Sequence, residues 1–356
     1  MTTSTTPTVN EQKLMEFVFK TVGDFGAMLN GSLAVIGDKL GLYRAMAGAG
    51  PLTPAELADR TDTAERYVRE WLSAQAAAGY VEYAGDNRFT LSAENAIALT
   101  DENSPACVIG GFELMLAAVR STDRLVTAFR TGAGVGWHEH HQDLFEGCER
   151  FFRPGYHAHL VEEWIPAMEG VADQLRSGIR VADVGCGLGA STVLLASAYP
   201  ASTFVGIDYH DGSIAAAQER AAAAGVGNRT RFEVGRAKEL TGTYDLVCLF
   251  DCLHDMGDPV GVLRHLRSQL DPDGSILLVE PFAGNAVADN LNPVGAVYYG
   301  ASTFLCTPNS LSQEVGAALG AQAGEPRLRE VAAEAGFTRF ERVAETPFNM
   351  IFQLRP

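Results

Sequence analysis

A chain of 356 residues, 47% hydrophobic and 20% charged, is long enough for two ordinary domains and can bury a sizeable core. Its net charge of −17 argues against DNA or RNA, which are held by Lys and Arg at phosphates, and against an anionic membrane surface. No apolar run approaches the roughly 20 residues of a spanning helix, and the polar start MTTSTTPTVNEQ lacks the basic and apolar regions of a secretory signal, so it reads as a frayed tail.

In chain order, residues 1–95 read as helices followed by a hairpin, an α-helical winged-helix domain. Apolar residues recur at helical spacing from Lys13 to Ala47, with Gly31 and Gly41 as expected breaks. LTPAELADRT predicts a short helix with Thr53 as N-cap and Pro54 as its first residue. TAERYVREWLSAQAAAGY predicts a second helix with Ala64, Tyr67, Val68, Trp71, Leu72 and Ala76 on one face. YVEYAGDNRFTLS alternates around Gly85-Asp86-Asn87, a hairpin signal. Residues 96–178 read as a helical linker and pocket-covering region, with loops at RTGAGVGWHEHHQD and FFRPGY. From 179 to 356 strand-like and helix-like segments alternate, which predicts an α/β, Rossmann-like doubly wound sheet ending in antiparallel strands. Six scattered cysteines without a CxxC pair predict reduced thiols in the cytoplasm rather than disulfides or a zinc ribbon.

The stretch VADVGCGLGAST, residues 181–192, carries the chemistry. Gly185, Gly187 and Gly189 predict a turn at a strand end where backbone approaches a ligand closely. Ala190 stands where the dinucleotide fingerprint has its last glycine, and Asp183 would repel a pyrophosphate. An ammonium group would welcome that carboxylate, directly or through water. Asp208, 19 residues after Gly189, suits the two hydroxyls of a ribose. An acid for a ribose and an acid for an amine together fit S-adenosylmethionine.

From about residue 150 onward the chain resembles a class I S-adenosylmethionine-dependent methyltransferase: VADVGCGLG, FVGIDYH, RFEVGRA, YDLVCLFDCLHD and ILLVEP recur in that family's order. The resemblance implies S-adenosyl-L-methionine as cofactor and S-adenosyl-L-homocysteine as product. It implies cofactor contacts from Asp183, the three glycines, Asp208, Tyr209, Arg236, Ala237, Phe250 and Tyr156. Arg236 departs from the acid usual at its position, leaving the backbone N–H of Ala237 to reach the adenine.

FDCLHDMGDP, residues 250–259, resembles the LHDWxD loop of small-molecule O-methyltransferases, which also carry an N-terminal winged-helix dimerisation domain. Met256 replaces the Trp. The resemblance implies His254 as general base, Glu280 as the carboxylate orienting it, and acceptor contacts from Asp255, Met256, Asn292, Tyr298 and Tyr299. A histidine titrates near neutrality and can take the hydroxyl proton during in-line methyl transfer. The run His138-Glu139-His140-His141 lacks a recognised metal-ligand spacing and reads as a solvated loop or pocket rim, so no metal is expected.

The expectation is therefore a homodimeric methyltransferase acting on a small molecule, with neither nucleic acid nor membrane as partner. The competing reading is a winged-helix transcription regulator with a ligand-sensing Rossmann domain. Against it, residues 1–95 hold 8 Lys and Arg but 12 Asp and Glu, and the would-be recognition helix mixes Arg66 and Arg69 with Glu65 and Glu70. Methylation at N, S or C, or of a macromolecule, shares the same scaffold and stays open.

Overall fold

The computed structural model describes residues 9–356; the first eight residues of the predicted polar tail lie outside the described residues. The chain divides into two compact units, one of residues up to 101 with 106–112, the other of 102–105 with 113–356.

The first unit opens with helix Glu11–Lys39, capped by Asn10, whose side chain accepts from the Lys13 N–H. Gly31 does not break this helix. It lies in its interior, where a Cβ would sit 3.4 Å from the Phe112 ring, so packing outweighs the glycine penalty. Gly41, at φ 70°, is the true break. Thr53 and Glu56 form the capping box of helix Pro54–Thr61, as the sequence predicts. Helix Glu65–Ala77 buries Val68, Trp71 and Leu72, but Tyr67 and Ala64 face solvent. Polar Gln75 takes the buried place instead, bonded to Asn30 and to the Tyr43 hydroxyl. β1 (Glu82–Gly85) and β2 (Arg88–Thr90) pair antiparallel across Asp86 and Asn87, both at positive φ.

The second unit is built on a seven-stranded sheet. Its strands are β3 (Arg180–Val184), β4 (Thr203–Asp208), β5 (Thr230–Val234), β6 (Tyr244–Phe250), β7 (Leu270–Pro281), β8 (Arg339–Glu345) and β9 (Asn349–Arg355). Their order is β5-β4-β3-β6-β7-β9-β8; β3 to β7 run parallel and β8 and β9 antiparallel. The parallel strands are apolar along their length because both faces are covered. One face packs on Leu195, Ile214 and Ala217, the other on Leu263, Leu266, Leu328 and Val331. Chain order reverses between β3 and β6, so their carboxyl ends open the crevice in which such sheets bind ligands.

FFRPGY does not form the expected loop. It lies inside helix Asp143–His159, with Pro154 in the helix and a π-helical turn, Leu160–Trp164, directly after it.

Candidate active site

The glycine turn follows β3. Gly185, Gly187 and Gly189 all have positive φ, but they do different jobs. A Cβ on Gly189 would lie 2.8 Å from the Ala217 Cβ, so this glycine lets helix Ala190–Ala198 close onto its neighbour. A Cβ on Gly187 would meet nothing within 4 Å: the turn is bare toward open space.

Asp183 is buried beneath the turn. Its Oδ2 accepts from the hydroxyls of Ser191 and Thr192, each at 2.6 Å, in the first turn of the following helix. Its Oδ1 is buried with no hydrogen-bond partner. Burial pushes this carboxyl up to about 6, against the pull of the two hydroxyls. At the end of β4, the half-buried Asp208 accepts from the Gly187 N–H at 3.0 Å and the His210 N–H at 2.9 Å, and burial raises its pKa. Asp208 thus braces the glycine turn, and each oxygen keeps a lone pair.

Tyr209 is 42% exposed, its ring edge-on to His138 with centroids 6.4 Å apart. Arg236 is exposed, and its backbone N–H donates to Glu239; Ala237 packs against the core. Phe250 ends β6, 5.2 Å from the buried Tyr156 ring.

The next residue, Asp251, was not among the predicted site residues. It holds φ 50° and sits half-buried. The Tyr156 hydroxyl donates to its Oδ2 at 3.2 Å and the Asn349 amide to its Oδ1 at 2.7 Å. Burial, reinforced by the Glu280 charge, pushes its carboxyl up to about 8.

His254 lies in the 3-10 turn Leu253–Asp255 and is buried. Its Nδ1 is 2.6 Å from Glu280 Oε2, while Glu280 Oε1 accepts the Leu253 N–H at 3.0 Å. One carboxylate near the tip of β7 therefore fixes both the turn and the ring it carries. His254 Nε2 is 3.2 Å from Asp255 Oδ1. Asp255 Oδ2 accepts from the Trp137 indole at 2.9 Å, and its backbone carbonyl from Asn309 and Gln313. Burial disfavours the imidazolium, but Glu280, Asp255 and Cys306 outweigh it and hold the His254 pKa well above the usual 6.5.

Met256 is half-buried, with its carbonyl accepting from Ser310. Asn292 is exposed and spent as the N-cap of helix Pro293–Ala301. Tyr298 is buried in an apolar cluster with Leu114, Leu144, Leu305 and Cys306, its hydroxyl donating to the Phe348 carbonyl. Tyr299 is half-buried near Asn290. The structure thus sets His254, Glu280, Asp255 and the glycine turn at the carboxyl ends of β3, β6 and β7, while Asn292 is exposed. The histidine run does not converge. His140 is buried against Ser121, His138 faces Tyr209 and His141 lies beside Asp143.

Residues 175–313 match a family described as a methyltransferase domain, and residues 29–101 one described as an Rv2258c-like winged HTH domain. The chain is 34% identical over 130 residues to the 27-O-demethylrifamycin SV methyltransferase of Amycolatopsis mediterranei, covering 34% of this chain and 47% of that protein. The chain spans about a quarter to a half of the length of the curated relatives it matches. Among solved structures, a candidate O-methyltransferase of Nostoc punctiforme aligns with TM-score 0.72 and 19% identity over 99% of this chain and 100% of that one. Human N-acetylserotonin methyltransferase, solved with S-adenosylmethionine, aligns with TM-score 0.67 and 18% identity over 100% and 99%. The chain thus joins a methyltransferase domain over residues 175–313 to a winged helix-turn-helix domain over residues 29–101, in a fold shared with solved methyltransferases.

Proposed function

We propose that this protein methylates a hydroxyl group of a small molecule, with His254 as general base. The observation that carries the reading is the buried His254–Glu280 pair, 2.6 Å apart, at the carboxyl edge of β6 and β7. S-adenosylmethionine supplies an electrophilic methyl on sulfur. The residues present suit it. Asp183 Oδ1 is a buried acceptor lacking a donor, which an ammonium fills. Asp208 has lone pairs left for ribose hydroxyls, and the bare Gly187 leaves room for the ligand to lie on the backbone.

Glu280 accepts from Nδ1, so when the imidazolium loses a proton above its raised pKa the lone pair is left on Nε2. Nε2 would then take the proton of the acceptor hydroxyl, leaving that oxygen able to receive the methyl group the bound cofactor would supply. Burial of His254, Phe250 and Tyr156 keeps water from competing as acceptor. Entry to so enclosed a histidine favours a small acceptor over a macromolecule.

The winged-helix unit serves assembly in this reading. Arg66 pairs with Glu70 and Arg69 with Glu65 on their own helix, which leaves that face poorly suited to phosphates. Helix Glu11–Lys39 buries no residue before Asn30, and Phe17, Phe19, Phe25, Met28 and Leu29 are exposed on it. A second copy of the chain covers this face. Light scattering of Phe19→Glu/Phe25→Glu should then give a monomer; a monomeric parent chain overturns the assignment. Among the described residues no helix is long and apolar enough to cross a membrane. Six scattered cysteines without a CxxC pair suit a reducing cytoplasm, which belongs to the same reading.

The test is direct. S-adenosylhomocysteine should raise the melting temperature, and transfer from labelled S-adenosylmethionine to a panel of hydroxylated aromatics should fall ~10²-fold or more in His254→Ala. Unaltered transfer in that variant sinks the base assignment; a chain indifferent to S-adenosylhomocysteine sinks the reading.

A further inference from the structure

The corner beyond His254 holds more than a base. Ligand atoms of His254, Asp255 and Cys306 all lie within 4.8 Å of one another, and all three side chains are buried. They reach this corner from different elements: His254 and Asp255 from the 3-10 turn after β6, Cys306 from the end of the π-helical turn Ser302–Cys306. Single π turns recur at functional sites.

Cys306 reaches both His254 and Asp255 through side-chain hydrogen bonds, so the three groups converge on one point. His254 Nε2 and Asp255 Oδ1 are 3.2 Å apart, yet Oδ1 has no hydrogen-bond partner although the residue is only 8% exposed. Two ligands bound at about 2.0 Å around a tetrahedral cation lie about 3.3 Å from each other. The remaining atom of each of these two side chains is already held from outside. Glu280 takes His254 Nδ1 and the Trp137 indole takes Asp255 Oδ2. That is the outer support seen around metal-ligating His and carboxylate groups. One nitrogen, one oxygen and one sulfur suit a borderline-soft cation such as Zn2+ and exclude Mg2+ or Ca2+. A neutral imidazole, a carboxylate and a thiolate also balance two positive charges, and three protein ligands leave a fourth position open.

We propose that His254, Asp255 and Cys306 form a binding site for Zn2+ or a cation of like softness, whose occupancy switches methyl transfer off. Binding forms N–, O– and S–metal bonds and displaces two protons to solvent, one from the Cys306 thiol and one from the His254 imidazolium. The inhibitory half rests on the function proposed above. A metal on Nε2 holds the lone pair that otherwise takes the hydroxyl proton. The binding half stands without it.

The test uses the full chain, stripped with chelator and titrated with Co2+ as a spectroscopic stand-in. One cobalt per chain should bind and give a thiolate-to-cobalt charge-transfer band that Zn2+ abolishes. Cys306→Ser, or Cys306→Ala should the first variant fold poorly, should lose the band while retaining the thermal shift with S-adenosylhomocysteine. No band, or a band that survives both variants, overturns the site. Zn2+ should also inhibit methyl transfer by the stripped protein, reversibly with chelator; binding without inhibition overturns the switch. A chain that binds cobalt at Cys306 but ignores S-adenosylhomocysteine sinks the methyltransferase reading and leaves the metal site standing.

Discussion

Asp251→Asn should stabilise this protein at neutral pH, by an amount that vanishes in acid. In the native chain the Asp251 carboxyl is pushed up to about 8 from an ordinary 3.8, first by burial and then by Glu280. In the unfolded chain it ionises near 3.8. Between those values the native state keeps a proton that the unfolded state has released, so stability falls as pH rises through this window. Each unit is about 1.4 kcal/mol, so at pH 7 the loss reaches on the order of 4 kcal/mol. Water still reaches a half-buried carboxyl, which brings the expected figure to about 2–4 kcal/mol. The amide cannot ionise. It keeps an oxygen for Asn349, offers an N–H to the Tyr156 oxygen, and Asn tolerates the φ of 50° that Asp251 holds. Urea unfolding of both proteins at several pH values from 4 to 8, without cofactor, gives the difference directly. It should be near zero at pH 4 and grow with pH. A difference that is flat, or that favours the parent chain at pH 7, refutes the reasoning.

Glu280→Gln removes the largest influence raising the His254 pKa, so the inflection in kcat/KM should move down toward 6.5; an unmoved inflection separates Glu280 from the base. Gly189→Ala forces a Cβ to 2.8 Å from Ala217 and should cost ~1–3 kcal/mol, read as a lower melting temperature. Gly187→Ala enters open space and should cost only ~1 kcal/mol while weakening S-adenosylhomocysteine more; calorimetry showing the opposite order removes Gly187 from the ligand face. An ammonium beside Asp183 lowers a carboxyl now near 6, so S-adenosylhomocysteine binding at pH 6 should release protons. The observed heat should then vary with buffer ionisation enthalpy; buffer-independent heat means Asp183 does not meet the amine.

The sheet was legible because parallel strands covered on both faces must be written as short apolar runs, and VADVG, FVGID and YDLVCLF are such runs. Gly31 misled because local propensity says nothing about a ring such as Phe112 lying against the helix. FFRPGY misled because proline followed by glycine reads as a break, while here Pro154 lies buried inside helix Asp143–His159. His254 and Glu280 could be found because each sits at a strand tip within a recognisable loop. Asp251 stood next to that loop, but nothing local marks its partner Asn349, 98 residues away. Trp137 and Cys306 reach Asp255 and His254 from distant helical turns for the same reason, since only tertiary packing brings them there.

The site's electrostatics give these separate features one cause. Asp183, Asp208, Asp251, Asp255 and Glu280 crowd the carboxyl edge of the sheet, offset by the imidazoles of His254, beside Glu280 and Asp255, and of His210, beside Asp208. The pKa values of Asp183, Asp208 and Asp251 are all raised, first by burial and, at Asp183 and Asp251, also by neighbouring carboxylates. A fold does not gain stability from such an excess; its use lies in what it attracts. In the readings proposed above, the ammonium of the methyl donor would bring positive charge to Asp183, and a borderline-soft cation would bring it to Asp255. The same negative surplus would then serve both ligands, with the imidazole of His254 as the group the metal and the acceptor hydroxyl compete for.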